Sequence, residues 1–237
     1  MIRYAVIAAA LLGLPTALPA QDDYSASEVV VTASRREADD YSEAVPLIGL
    51  RRLADFAIQP VSVEGDTRDL GPRRTEIFEM IKGAIELAAK REGIELATGE
   101  MVVEPLTLAN YKNLPMGSGG RPDTDRTRFL VKTRLKPGTD TKAALERIST
   151  FIKSVPAVGR AQLTAVGDLT LSVIGPDQYR QQVIDLVVAD AKTVSAKLGD
   201  DYGVEVTGLD RAVEWSRATL TDVLLYVPYR YVVKPKK

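Results

Sequence analysis

Four carboxylates are the candidate catalytic residues of this chain. Glu100 and Glu104 precede a stretch rich in glycine and proline at residues 110–125, and Asp123 and Asp125 lie at its end. Two convergent acids in a cleft can cleave a glycosidic bond, one as general acid and the other as base or nucleophile. The four residues are therefore the candidates for a hydrolase acting on cell-wall sugars. The alternative, which we favour, is that they are solvated acids of a surface loop.

Two residue types are missing from the sequence, and their absence excludes whole classes of enzyme. The chain contains no histidine and no cysteine. A Ser-His-Asp triad is therefore impossible, and so are thiol catalysis, iron–sulfur clusters and cysteine-ligated zinc. Histidine is also the commonest general base near neutral pH. We predict no catalytic residues, no metal and no cofactor, and a protein that is not an enzyme.

Basic and glycine-rich segments give only weak indications of a binding site. The glycines at residues 117–120 lack the spacing of a phosphate-binding loop. Along the predicted strand at 128–136, Lys132, Arg134 and Lys136 alternate with uncharged residues. They form either an anion site or a solvated sheet face, and the absence of accompanying aromatic residues favours the solvated face. The net charge of −1 gives no reason to expect binding to nucleic acid or anionic lipid.

The N-terminus has the layout of an export signal. Arg3 precedes an apolar stretch at residues 4–14, and small residues lead to Ala20. This pattern predicts a signal peptide at residues 1–20, cleaved before Gln21, and a periplasmic mature protein. The apolar stretch is shorter than the ~20 residues that cross a bilayer. We therefore expect no transmembrane segment in the mature chain; the alternative is a membrane-anchored N-terminus.

Hydrophobic periodicity indicates three long helices separated by pairs of strands. The helices are predicted at residues 73–91, 141–154 and 176–198, and the first strand at 54–64. This order is typical of an α+β domain with antiparallel sheets and long helices packed on one face. In the last predicted strand, Tyr226, Tyr229 and Tyr231 are amphipathic aromatics of the kind enriched at interfaces. They are candidates for a homo-oligomer interface, with core packing as the alternative.

The C-terminal half of the chain carries a family resemblance. The stretch Asp190-Ala191-Lys192-Thr193-Val194-Ser195-Ala196-Lys197-Leu198-Gly199 ends a long helix, and a Gly-Val strand and a Tyr/Val-rich strand follow it. This order resembles the SIMPL-domain family of exported bacterial proteins over roughly residues 54–234. The resemblance implies a SIMPL-like α+β fold and a periplasmic protein linked to envelope stress. It also implies assembly into rings and no established catalytic residues.

A second resemblance lies in the polar segment at residues 21–53, predicted to be an extended arm. Within it, the block Glu28-Val29-Val30-Val31-Thr32, followed by Ala33-Ser34-Arg35-Arg36, resembles the TonB box of outer-membrane receptors. The resemblance implies that Glu28, Val29, Val30, Val31 and Thr32 bind a TonB-type periplasmic protein by strand addition. The chain is too short for a receptor's plug and barrel. The alternative is that the arm pairs with its own domain or with a neighbouring subunit.

Overall fold

The structure, a computed structural model, describes residues 28–31, 46, 48–138 and 140–236. The predicted signal peptide and Thr32 lie outside the described residues, as does most of the predicted arm. The described part is an α+β fold with antiparallel strand pairing throughout. The prediction of that fold class from the sequence is confirmed at this level.

Three helices and thirteen strands make up the described part. The helices are α1 (Leu70–Ala88), α2 (Thr141–Ser154) and α3 (Arg180–Leu198). The strands are β1 (Glu28–Val31), β2 (Leu50–Leu53), β3 (Phe56–Gly65), β4 (Ile94–Thr98), β5 (Val102–Pro105), β6 (Gly117–Ser118), β7 (Asp125–Arg134), β8 (Gln162–Ala165), β9 (Thr170–Ile174), β10 (Tyr202–Thr207), β11 (Glu214–Arg217), β12 (Asp222–Tyr226) and β13 (Arg230–Pro235).

Local sequence accounts for where the helices begin and end. The side chain of Asp140 accepts a hydrogen bond of 2.6 Å from the Ala143 amide and caps α2 at its N-terminus. Pro176 opens a short 3-10 turn, so α3 begins at Arg180 and not at the proline as the sequence predicted. Gly199 follows α3 with a φ of +88°, a conformation that favours glycine. The helices are thus largely determined by nearby residues.

Six strands close into a barrel. Their order is β7-β4-β5-β1-β9-β3, and β3 pairs again with β7. The closing pair is the longest, from Phe56 opposite Arg134 to Gly65 opposite Asp125. Because side chains alternate along a strand, one face of each strand points into the barrel and the other points outward. The short β1 is a full member of this barrel.

The outward face of the barrel holds the main hydrophobic core. Helices α1 and α2 pack against it and bury apolar residues such as Ile77, Ile81, Ile148 and Phe151. The sheet β11-β12-β2 adds the buried Trp215 to the same core. Helix α3 packs against β10 and against β12 and β2. The three helices therefore do not share one face of one sheet, because α3 covers a different layer.

We call α3, β10 and β13 the C-terminal layer. Strands β10 and β13 form a two-stranded sheet from Tyr202 opposite Pro235 to Thr207 opposite Arg230. Neither strand contains a fully buried residue. Among the described residues, neither strand pairs with a third strand. The two strands of the C-terminal layer are thus incompletely covered in the described fold.

Candidate functional site

The predicted partner-binding strand lies inside the fold. Glu28 to Val31 form β1, which pairs with β9 along its whole length and with β5 at Glu28 and Val29. Its own domain therefore occupies the whole β9 edge of β1 and the first half of its β5 edge. Binding of a TonB-type protein by strand addition would require β1 to leave the barrel. Of the two interpretations of this segment, the geometry favours pairing with its own domain.

Glu28 takes part in a buried polar cluster inside the barrel. Its carboxylate forms an ion pair with the Lys132 ammonium group and accepts a hydrogen bond from the Ser172 hydroxyl. The Lys132 residue is only 5% exposed. A buried charge is costly unless an opposite charge compensates it. The first residue of β1 therefore supplies a charge that the barrel interior requires.

Two further contacts position the Lys132 ammonium group. It lies 3.9 Å from the centroid of the Phe56 ring, and 3.6 Å from the Glu95 carboxylate. The Arg134 guanidinium carbon lies 4.5 Å from the centroid of the same ring, and its Nη2 is 3.8 Å from Glu95. Stacking of a cation on an aromatic face is favourable, more so where water is excluded. The cluster fills this end of the barrel, and the Glu28 carboxylate that accepts from Ser172 is held in an ion pair with Lys132.

The sequence assigned Lys132 to a solvated sheet face, and the structure corrects this. Lys132 points into the barrel, whereas Arg134 and Lys136 are exposed. An alternating strand shows which residues share a face but not whether that face meets solvent or a closed interior. The acid that allows Lys132 to be buried is Glu28, and the two residues are 104 positions apart in the chain. Local sequence therefore does not reveal the pairing.

The four candidate acids do not form a catalytic pair. The Asp125 carboxylate lies 2.9 Å from Arg73 Nε and 3.7 Å from Arg74 Nε, so it anchors α1 to the start of β7. Glu100, Glu104 and Asp123 are exposed. Within the described ranges, no group of three acidic residues is arranged to hold a metal ion. None of the helices described there is long and apolar enough to cross a membrane.

The three candidate interface tyrosines occupy different environments. Tyr226 is fully buried within its own chain, which leaves none of its surface for a subunit contact. Tyr229 and Tyr231 are half-buried, with ring centroids 5.0 Å apart. The Tyr231 hydroxyl contacts Val187 O at 3.1 Å and Asp190 Oδ2 at 2.8 Å, both on α3. Burial, and then the hydrogen bond to Asp190, raises the pKa of the Tyr231 phenol.

Apolar side chains are exposed across the C-terminal layer. The large exposed residues of this layer are Leu186, Val188, Leu198, Tyr202, Val232 and Val233. Val233 is the most exposed of them at 48%. Val232 and Val233 are consecutive on β13, so apolar side chains are exposed on both faces of this two-stranded sheet.

The outer edge of β13 has backbone groups available for pairing. The Lys236 amide donates a 2.8 Å hydrogen bond to Asp201 O, so Lys236 faces β10. Because backbone groups alternate sides along a strand, Pro235, Val233 and Tyr231 direct theirs away from β10. A proline is tolerated there because no ladder hydrogen bond is lost. The amides of Val233 and Tyr231 therefore point toward the outer edge.

The comparisons with known proteins do not identify a family for this chain. No protein-family model and no curated protein matches the sequence. Among solved structures, a crystal structure of an uncharacterized conserved protein from Listeria innocua is similar at 11% identity and a TM-score of 0.16. That alignment covers 79% of this chain and 94% of that chain. A likeness of this size does not bear on membership of any family.

Proposed function

We propose that the protein is an exported, SIMPL-like periplasmic protein that acts by assembling with further copies of itself and catalyses no reaction. Its role would be in the integrity of the cell envelope or its response to stress. The export signal, the SIMPL-like element order and the absence of histidine and cysteine support this proposal at the level of sequence.

The observation that carries the proposal is the incomplete cover of the C-terminal layer. Strands β10 and β13 bury no residue fully, and β13 directs the amides of Val233 and Tyr231 outward. An outer strand of this kind is a template for pairing with another chain. A second copy that pairs with this edge would cover Val233 and satisfy those amides.

Charge favours a second copy as the partner. Glu205 and Lys234 pair with each other within one copy, which leaves Asp200 and Asp201 just before β10 and Lys236 just after β13. The basic β13 edge of one copy therefore complements the acidic β10 edge of another. Such a contact joins two different surfaces, and repeated head-to-tail contacts generate a ring or a filament.

The experiment is the absolute mass of the protein at residues 21–237, measured by light scattering after gel filtration. We compare it with Val233→Pro, which removes an amide on the outer edge and spares those that face β10. The matched control is Val233→Thr, a side chain of similar shape that keeps the amide. We expect a discrete assembly for the unsubstituted protein and for Val233→Thr, and a monomer for Val233→Pro with an unchanged circular dichroism spectrum.

Two results would contradict the proposal. A monomer for the unsubstituted protein, even in concentrated solution, would remove self-assembly as the function. An assembly of the same mass for folded Val233→Pro would leave self-assembly in place but move its contacts away from the β13 edge.

A further inference from the structure

The barrel is filled at one end and open at the other. Phe56, Ile58 and the Lys132 cluster fill the first end. Toward the second end, Pro60 pairs with Leu130, and a cavity of about 690 Å³ opens beside them. This volume lies within the ~300–1,000 Å³ range of small-molecule sites. The cavity is separate from the C-terminal layer, so what it binds does not depend on self-assembly.

Apolar groups form much of the cavity wall. Pro60, Leu130, Pro115 and Met116 line it together with Thr170 of β9. Leu130 packs on the small apolar cluster inside the barrel, so the wall continues the barrel interior. An apolar wall of this kind favours the hydrocarbon part of a ligand.

One face of β7 carries basic residues both at the filled end of the barrel and in the open cavity. On β7, the residues Arg126, Arg128, Leu130, Lys132 and Arg134 alternate onto the face that continues the barrel interior. At the filled end, Lys132 and Arg134 both lie near carboxylates. In the open cavity, neither Arg126 nor Arg128 forms an ion pair or a side-chain hydrogen bond within the described part of the chain.

The only acid that lines the cavity in the described residues is Glu100, at the turn between β4 and β5. Glu64 lies opposite Arg126 on β3, but in the described part of the chain neither Arg126 nor Arg128 forms an ion pair with Glu64 or Glu100. A guanidinium group presents paired donors that match a carboxylate or phosphate. The available donors of these two guanidinium groups therefore favour an anionic ligand over a neutral or cationic one.

We propose that this cavity binds a small amphipathic monoanion, of the class of medium-chain aliphatic carboxylates. The carboxylate lies against the guanidinium groups of Arg126 and Arg128. The hydrocarbon chain lies on Pro60, Leu130 and Met116. Binding involves no covalent step.

The test is isothermal titration calorimetry of the protein at residues 21–237 with three probes of equal chain length: octanoate, 1-octanol and octylammonium. Octanoate is expected to bind most tightly. The double variant Arg126→Gln/Arg128→Gln is expected to weaken octanoate binding about tenfold or more, because it removes both charge-assisted contacts to the carboxylate. The same variant leaves 1-octanol binding within about twofold.

Two further variants sharpen this test. Arg91→Gln neutralises an exposed arginine outside the cavity lining and is expected to leave octanoate binding unchanged. Thr170→Phe places a larger side chain in the cavity and is expected to abolish binding of octanoate and 1-octanol alike, with folding checked by circular dichroism. Binding of no probe would overturn the proposal. Equal binding of all three probes, unaffected by Arg126→Gln/Arg128→Gln, would also overturn it.

Discussion

The barrel and the C-terminal layer are both built from antiparallel strands that pack against helices. They differ in the fraction of their strand residues that is buried. Eight of the ten residues of β3 are buried, whereas β13 buries none fully. Strand pairing alone therefore does not make a stable domain, because most stabilisation comes from burying the faces of the sheet. The barrel is complete within one chain, and the C-terminal layer has room for another surface.

The same contrast holds for the charges of the two regions. Glu28 and Lys132 form their ion pair inside the barrel, with side chains 11% and 6% exposed. Glu205 and Lys234 form theirs on the C-terminal layer, with side chains 48% and 60% exposed. A buried pair is strongly destabilised by the loss of one partner, and an exposed pair hardly at all. Identical residue types therefore have different energetic roles in the two regions.

The largest expected effect comes from truncating an aromatic ring in each region. Phe56→Ala should lower the free energy of unfolding by about 3–5 kcal/mol, because the ring is buried and packs within the barrel. Tyr202→Ala should change the stability of the monomer by less than about 0.5 kcal/mol, because Tyr202 is exposed. Urea unfolding followed by circular dichroism measures both. Equal losses for the two variants would break the comparison.

Removing one acid from each ion pair should give the next effect. Glu28→Ala should destabilise the fold by about 3 kcal/mol, because it leaves the Lys132 ammonium group buried beside only the more distant Glu95. Glu205→Ala should cost less than about 1 kcal/mol. Urea midpoints provide the measurement.

A double variant separates the ion pair from its neighbours. In Glu28→Met/Lys132→Met, apolar side chains of similar length replace both partners, and much of the stability lost in Glu28→Ala should return. Failure of this rescue would mean that Glu28 acts through contacts other than its pairing with Lys132.

Alkaline pH should loosen the C-terminal layer before the barrel. Burial raises the pKa of Tyr231 and also that of Tyr229 in the folded state. Their contribution is therefore fully present below the unfolded tyrosine pKa of about 10 and is lost as pH rises through the higher folded values. Tyrosinate absorbance and hydrogen exchange of α3 should report this loosening together. Tyr231→Phe should remove much of the pH dependence, and an unchanged profile would contradict this assignment.

Acidic pH should slightly lower the stability of the region where α1 packs against the barrel. Hydrogen bonds from the Thr67 hydroxyl and from the Arg160 amide lower the pKa of Glu76 on α1. The stability they contribute is present above the unfolded glutamate pKa of about 4.3 and is lost as pH falls through the lower folded value. Thr67→Val should weaken this acid dependence, as followed by thermal unfolding at several acidic pH values. A profile identical to that of the unsubstituted protein would contradict the role of Thr67.

Helices could be predicted from the sequence, because their signals lie in neighbouring residues. The pairing of distant strands that closes the barrel could not. The helix at residues 141–154 has the predicted bounds, since its cap and apolar spacing are local signals. The barrel depends on β1 pairing with β5 and β9, more than 70 residues away in the chain. The burial of Lys132 follows from such closure. Neither the alternation within one strand nor the residue type reveals it.

The most direct test of the central claim is hydrogen exchange, read by mass spectrometry, at low and high protein concentration. We predict that peptides covering β13 gain protection in concentrated solution, whereas peptides from β3 and β7 exchange at the same rate in both. That result would mean that a second copy completes the C-terminal layer. Protection of β13 that does not depend on concentration would contradict the claim.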